Sequence, residues 1–174
     1  AVGLERIARI VADLKSFSNV DRATEELANL NDSIRQAVSV TERQLPATVS
    51  LQADLGDLPK LVCLPGHLNQ LFFNLLKNGV QAVQDSGHAG TVKISSQAAA
   101  DGIAVAISDD GIGMTPEQRE HAFEPFFTTR KIGSGAGLGL CTARNIVLAH
   151  SGRITIDSQP GQGTTVHLHF PTRT

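Results

Sequence analysis

An apolar stripe at helical spacing in residues 65–85 is the feature that most constrains the fold. Apolar residues recur there at intervals of three and four, which is the period of one face of an α-helix. The members of the stripe are Leu68, Leu71, Phe72, Leu75, Leu76 and Val83. A helix with so broad an apolar face has to pack against another layer of structure. The sequence therefore predicts a long helix covered by a sheet or by other helices.

Alternating segments before and after this helix predict the covering sheet. The candidate strands lie at 47–55, 59–64, 91–96 and 102–110, with a closing hairpin at 152–158 and 163–170. Further helices are predicted over about 31–43, with Asn31 or Asp32 as N-cap, over 115–123 and over 138–152. This order favours an α+β protein, a two-layer α/β sandwich with a mostly antiparallel sheet and the long helices on one face.

Composition and charge exclude several classes of protein. The 174 residues are 41% hydrophobic, enough for one ordinary domain with a core. A formal net charge of -2 gives no reason to expect nucleic acid as a partner, and the sequence has no apolar run of about 18 residues that predicts a membrane span. Cys63 and Cys141 stand among apolar neighbours, so we interpret them as reduced core thiols and expect a cytoplasmic domain.

The stretch KIGSGAGLGL, residues 131–140, indicates phosphate binding, because closely spaced glycines let the backbone approach phosphate oxygens. It is not a dinucleotide fingerprint, since no glycine in it begins a G-x-G-x-x-G pattern. It is not a P-loop either, since no Lys-Ser or Lys-Thr follows at the required spacing. The glycines must therefore act with residues elsewhere in the chain.

Two polar groups are candidates for that partner. Asn74 and Asn78 are four residues apart on the predicted long helix and share a face, where their carbonyls can hold oxygen ligands or hydrated magnesium. Asp109 ends a predicted strand and precedes Gly111 and Gly113, an arrangement that suits recognition of the adenine amine. Taken alone, the asparagines are more often polar surface and the aspartate more often part of an Asp-Gly turn.

The loop before the glycine-rich stretch carries two cations. Arg130 and Lys131 can close on a polyphosphate as part of a mobile segment, although such residues are by default surface charges. The helix predicted after GAGLGL offers free N–H groups and the positive end of its dipole to the same phosphate.

In this order the motifs resemble the ATP-binding catalytic domain of sensor histidine kinases, in the GHKL ATPase superfamily. HLNQLFFNLLKNGVQAV resembles the N-box, DDGIG the first glycine box, FEPFF the phenylalanine box, GAGLGL the second glycine box and GQGTT the last glycine turn. The resemblance covers about residues 25–174. It implies a Bergerat-type fold with an ATP lid, and ATP and Mg2+ as ligands.

The resemblance also implies a role for each matching residue. Asn78 would coordinate the magnesium ion, with Asn74 in the same polar patch. Asp109 would accept from the adenine amine, supported by water and by Thr164. The rest of the implied nucleotide site consists of Gly111, Gly113, Gly135, Gly137, Leu138 and Gly139. Arg130 and Lys131 would lie in the lid and act in catalysis together with the two asparagines.

Residues 1–20 resemble the second helix of the family's dimerisation and phosphoacceptor hairpin, with Leu4, Ile7, Val11 and Leu14 as its apolar seam. We expect a linker over 21–27 and the catalytic domain over 28–174. None of the six histidines stands in a phosphoacceptor setting, and a metal site made by His167 and His169 is a minor alternative. The implied partners are the phosphoacceptor domain of the same protein, a response regulator and a second copy in a homodimer. The resemblance also leaves room for a membrane anchor elsewhere in the full-length protein.

Two other functions stay open: ATP hydrolysis by a GHKL-type ATPase, and the activity of a serine kinase or nucleotide-binding regulator. ATP-hydrolysing members of the superfamily carry Glu at the position of Asn74, where it activates water, and Asn cannot take up a proton. A serine kinase of the anti-sigma type, or a nucleotide-binding regulator, would lack the N-terminal hairpin. Gly79, Ala136 and Cys141 depart from the usual residues of the motifs, which concerns packing and lid closure more than nucleotide contact.

Overall fold

The computed structural model describes residues 24–128 and 137–172. Helices lie on one face of a sheet, as the sequence predicts. The strands are β1 (Glu26–Ala28), β2 (Val49–Leu55), β3 (Leu61–Cys63), β4 (Gly90–Ala99), β5 (Gly102–Asp109), β6 (Arg153–Gln159) and β7 (Gly163–Pro171). The helices are α1 (Leu30–Glu42), α2 (Pro65–Ser86), α3 (Pro116–His121) and α4 (Gly139–Ala149).

The main sheet has five strands in the order β2-β4-β5-β7-β6. All neighbours in it are antiparallel except β2 and β4, which are parallel because the chain crosses between them through β3 and α2. β1 and β3 form a separate antiparallel pair. The expected two-layer α+β sandwich with a mostly antiparallel sheet is therefore confirmed.

The apolar stripe of α2 forms the centre of the core. Its six residues are each at most 2% exposed, and they pack on the helix-facing side of the sheet, where Val92, Ile94 and Ile103 are fully buried. Gly79 brings α2 close to β4, since a Cβ at this position would lie 3.1 Å from a methyl group of Val92. The long helix is thus fixed directly against the strands whose ends carry the polar motifs.

The expected N-cap of α1 is wrong. The helix begins at Leu30, and Asn29 is the cap, its side chain accepting from the N–H of Asn31. Asn31 itself is buried: its amide donates to the carbonyl of Gly56 at 2.8 Å and accepts from the hydroxyl of Ser96 at 2.7 Å. The polar residue that looks like a cap therefore ties α1 to the sheet edge.

The end of α4 is held against the chain that enters α2. The helix ends at Ala149, earlier than the expected Gly152, and His150 follows it. The His150 Nε2 accepts from the N–H of Leu64 at 3.0 Å, and its Nδ1 lies 2.7 Å from the carbonyl of Ile146, so the ring proton is on Nδ1. Burial lowers the pKa of His150 and keeps the ring in this neutral form. The two helices that border the site are thereby fixed relative to each other.

The outer face of the sheet carries the alternating histidines. His167 and His169 share this face, and each ring lies beside a carboxylate, Asp157 at 3.1 Å and Asp101 at 2.9 Å respectively. Within residues 24–128 and 137–172, no group of three or more His, Cys, Asp or Glu side chains could hold a metal ion. Such contacts at the protein surface contribute little to stability.

The N-terminal helix expected over 1–20 lies outside the described residues. Within the expected linker, Glu26 and Leu27 belong to β1 and pair with β3. The division at 1–20, 21–27 and 28–174 stays a prediction. No helix in the described part of the chain is long and apolar enough to cross a membrane.

Candidate functional site

A pocket of about 200 Å³ opens between α2, α4 and the end of β5. It brings together polar residues that are up to 90 positions apart in the sequence, from Asn74 to Thr164. The sequence-predicted site residues that line it are Asn74, Asn78, Asp109, Gly113, Gly137, Leu138, Gly139 and Thr164. Arg130, Lys131 and Gly135 lie outside the described residues.

Asp109 presents a partly buried carboxylate to this pocket. The N–H of Gly111 donates to its Oδ1 at 2.9 Å, and the backbone N–H of Thr164 on the neighbouring strand donates to the same carboxylate. Burial raises the pKa of Asp109 to about 6; the two N–H donors oppose this rise, and the charge of Asp110 adds to it. The carboxylate keeps acceptor capacity for a ligand donor such as an exocyclic amine.

This raised pKa predicts a pH dependence of nucleotide binding. With the expected contact to the adenine amine, protonation would remove the negative charge and set two donors against each other. ATP affinity should then fall about tenfold for each pH unit below 6. Titration calorimetry at intervals of about half a pH unit between roughly pH 5 and pH 8 measures this loss of affinity. For the unliganded fold the sign is opposite: stability is lost as pH rises from 3.8 to about 6, because the folded state binds the proton more tightly.

The terminal phosphate of ATP titrates near pH 6 as well, so a control ligand is needed. Purine riboside triphosphate has the same phosphates and lacks the amine, and it should lose less affinity than ATP over the same range. Parallel curves for the two nucleotides would show that Asp109 does not contact the amine.

The glycines of the first glycine box serve mainly to bring backbones together. Gly111 does not line the pocket; a Cβ there would lie 2.4 Å from the backbone of Ala82 on α2, and its N–H holds Asp109. Gly113 lines the pocket and has φ of +66°, and a Cβ there would lie 1.9 Å from the carbonyl of Gln159. Of these two members of the implied nucleotide site, only Gly113 lines the pocket.

Asn78 lies beneath the first turn of α4. A Cβ at Gly139 would lie 3.5 Å from its Nδ2 and 3.7 Å from its Oδ1, so this glycine keeps the helix end close to the amide. No side chain caps α4, whose N-cap residue is Leu138. The first N–H groups of the helix are thus available to a ligand at the same end of the pocket.

Sequence reasoning missed Ser158, which connects three parts of the site. Its Oγ accepts from the N–H of Met114 at 2.8 Å, donates to the carbonyl of Gly163 at 3.0 Å and lies 2.8 Å from the Thr164 hydroxyl. Since a serine has one proton to donate, the Thr164 hydroxyl donates to Ser158 and keeps its lone pairs free. Ser158 thereby holds Thr164 and the first glycine box in place.

The apolar lining and two polar residues were also missed. Leu75, Ile107 and Val166 belong at once to the core and to the pocket, and their spacing signals only the core. Lys77 adds a cation beside Asn78, and Thr142 on α4 adds a hydroxyl. An unusually polar residue on the inner face of α4 was the signal available in the sequence for Thr142.

The phenylalanine box lies only partly at the pocket. Phe127 lines it, whereas Phe123 packs on the core beneath the guanidinium of Arg144, which lies 5.7 Å from the ring centroid. Phe126 is 63% exposed and has a positive φ of 64°. Backbone atoms of Phe126 and Phe127 approach Gly137, where a Cβ would lie 2.6 Å from the nearest of them.

Fold and site together define an ATP-binding domain of the two-layer type. A family profile described as "Histidine kinase-, DNA gyrase B-, and HSP90-like ATPase" matches residues 63–174, and the chain belongs to this family. Within it, the chain is a histidine-kinase-type ATPase domain, as its similarity to sensor kinases shows.

Two curated relatives and one solved structure illustrate the similarity, and all three are named as kinases. The chain is 32% identical over 98% of its length to sporulation kinase E of Bacillus subtilis (strain 168), and 29% identical over 96% to the sensor histidine kinase ZraS of Escherichia coli (strain K12). It spans 23% and 35% of these two relatives. The solved structure of the mycobacterial sensor histidine kinase MprB superposes with a TM-score of 0.73 at 25% identity, covering 86% of this chain and 99% of that one.

Proposed function

We propose that this chain binds Mg-ATP and presents the γ-phosphate to a histidine on a dimerisation and phosphoacceptor domain, as the catalytic part of a protein-histidine kinase. The observation that carries the proposal is the convergence of Asn74, Asn78, Asp109 and the uncapped end of α4 on one pocket. Asp109 would recognise the adenine amine, and the helix end would hold phosphate oxygens. Positioning of the phosphoryl group would supply most of the catalysis.

The donors present fit magnesium held jointly with phosphate. Mg2+ is commonly bound through one or two protein oxygens plus substrate phosphates and waters. The described residues include no cluster of His, Cys, Asp or Glu that would hold a metal without the nucleotide. The carbonyl oxygen of Asn78, beside the end of α4, is the proposed protein ligand. When bound, the ion would neutralise charge on the phosphates.

Asn74 favours phosphoryl transfer over ATP hydrolysis as the main activity. Its amide lines the pocket at the position where hydrolysing members carry a Glu, and an amide cannot accept a proton from water. A histidine held by a second domain would therefore be the effective nucleophile. Arg130 and Lys131 are proposed as lid cations that act in this step.

The remaining proposals concern the longer protein. We infer a homodimer formed through the phosphoacceptor hairpin, transfer onward to a response regulator, and a cytoplasmic position for this domain, with membrane anchoring left to other segments. The similarity to sporulation kinase E and to the sensor histidine kinase ZraS, over 98% and 96% of this chain, supports these roles.

Asn78→Ala tests the magnesium assignment. The variant should bind ATP about tenfold or more weakly in magnesium and within about threefold of wild type in EDTA, because the side chain is assigned to the metal rather than to the base. Calorimetric titration in the two buffers makes the comparison.

Asn69→Ala is the matched control on the same helix. Asn69 donates to Gln36 at 2.7 Å and does not line the pocket, so its removal should leave ATP affinity unchanged in both buffers. Equal losses for Asn78→Ala with and without magnesium would contradict the metal role and indicate a structural one.

A further inference from the structure

Thr142 is a nearly buried threonine that lines the pocket from α4. The residue is 3% exposed. Its N–H donates to the carbonyl of Leu138 at 2.8 Å, as expected in a helix. Its hydroxyl, in contrast, makes no hydrogen bond with any described residue.

A second buried helical threonine, Thr41, differs from Thr142 because its hydroxyl is hydrogen-bonded within its own helix. Thr41 on α1 is 5% exposed, and its hydroxyl donates to the carbonyl of Ala37, four residues earlier, at 2.8 Å. Helical threonines commonly satisfy the hydroxyl in this way. The Thr142 hydroxyl has no such partner and is not sealed from solvent. It is therefore suited to a hydrogen-bonding partner that enters the pocket.

The position of Thr142 on α4 indicates which part of a nucleotide it meets. It lies three residues after Gly139, on the same side of the helix and about 4.5 Å further from the helix end that is assigned to phosphate. Around it, Leu75, Ile107 and Val166 provide an apolar lining suited to a flat ring. Thr142 therefore lies toward the nucleoside end of the proposed site.

We propose that Thr142 is a specificity-determining residue whose O–H donates to a ring nitrogen of the bound purine. The inference rests on the proposed nucleotide site and adds a second polar contact to the base, separate from that of Asp109. The Asp109 carboxylate reads the amine, a donor on the base, whereas the Thr142 hydroxyl reads an acceptor. Together they would favour adenine over bases without this pair of groups.

The test compares Thr142→Val, which removes the hydroxyl at nearly constant volume, with Thr142→Ser, which keeps it. ATP and its 1-, 3- and 7-deaza analogues are titrated into each folded variant by calorimetry. We expect Thr142→Val to bind ATP about three- to tenfold more weakly, Thr142→Ser to stay within about twofold, and one deaza analogue to bind wild type and Thr142→Val equally.

Thr41→Val is the matched control, because it makes the same change in a buried helical threonine outside the pocket. It should lower the thermal midpoint and leave ATP affinity unchanged. Unchanged or tighter ATP binding by Thr142→Val would overturn the proposal, as would a loss that persists with all three deaza analogues. If wild type itself does not bind ATP, it is the proposed function that fails.

Discussion

Asp109→Asn is expected to abolish measurable ATP binding, a loss of about 100-fold or more. The N–H groups of Gly111 and Thr164 already donate to the side chain at this position. In the variant the single amide oxygen would stay with these two donors, and the NH2 group would point at the adenine amine. Two donors would then face each other in a partly buried site, where an unmet hydrogen bond is most unfavourable. Calorimetry at pH 7.5 or so measures the affinity directly.

Asp110→Asn is the neighbouring control. The Asp110 side chain accepts from the N–H of Thr91 at 2.8 Å and does not line the pocket, so its neutralisation should change ATP affinity by less than about twofold. Circular dichroism and a thermal melt show whether each variant is folded. A folded Asp109→Asn protein with wild-type affinity would remove the adenine contact from the site.

The layered fold could be predicted because its signals are local. The stripe of α2 repeats at the helical period, and every member is buried against the sheet. The capping box of α3 is equally local: the Thr115 side chain accepts from the N–H of Gln118, and the Gln118 side chain accepts from the N–H of Thr115. Such features depend on residues a few positions apart, and distant contacts do not alter them.

The position of a cap next to several polar residues was less predictable. Asn29, Asn31 and Asp32 are all good caps, and only the tertiary contacts of Asn31 with Gly56 and Ser96 decide between them. Propensity alone cannot rank residues that the fold uses for different purposes.

The part of the site that depends on strand register was not predictable from local patterns. Ser158 reaches Thr164 because β6 and β7 pair these two residues in register, and it reaches Met114 because the first glycine box packs on the same hairpin. Nothing in the local sequence relates these segments. The apolar lining was missed for another reason, since residues such as Ile107 have the same spacing whether or not a ligand covers them.

The glycine motifs have backbone roles that the sequence did not reveal. Gly111, a member of the implied nucleotide site, lets the chain pass close to Ala82 and aims its N–H at Asp109. Gly163 has a similar role, with φ of +85° and a Cβ position 1.9 Å from the carbonyl of Asp109. Much of the glycine pattern thus fixes the Asp109 carboxylate through the backbone.

The second large effect is expected in phosphoryl transfer. The 174-residue chain should bind ATP and fail to label itself from γ-labelled ATP, because none of its six histidines stands in a phosphoacceptor setting. Addition of a separately produced helical hairpin that carries a His-Glu or His-Asp phosphoacceptor should give labelling of the hairpin, at least about 100-fold above background. The transfer needs the pocket to hold the nucleotide while its phosphate end stays open to another molecule. Asn78 and the uncapped end of α4 lie together at the end of the pocket that we propose for the phosphates.

The nature of the label distinguishes the possible nucleophiles. Phosphohistidine is labile in acid, whereas phosphoserine is stable, so acid treatment should release the label from the hairpin. A hairpin with its histidine replaced by glutamine is the control for transfer to other residues, and Asp109→Asn is the control for transfer without bound ATP. Acid-stable labelling of the 174-residue chain alone would contradict histidine-kinase activity and favour a serine kinase. Asn74 gives a further expectation for the same reaction. Since an amide cannot deprotonate water, release of free phosphate without the hairpin should be slow compared with transfer to the histidine of the hairpin.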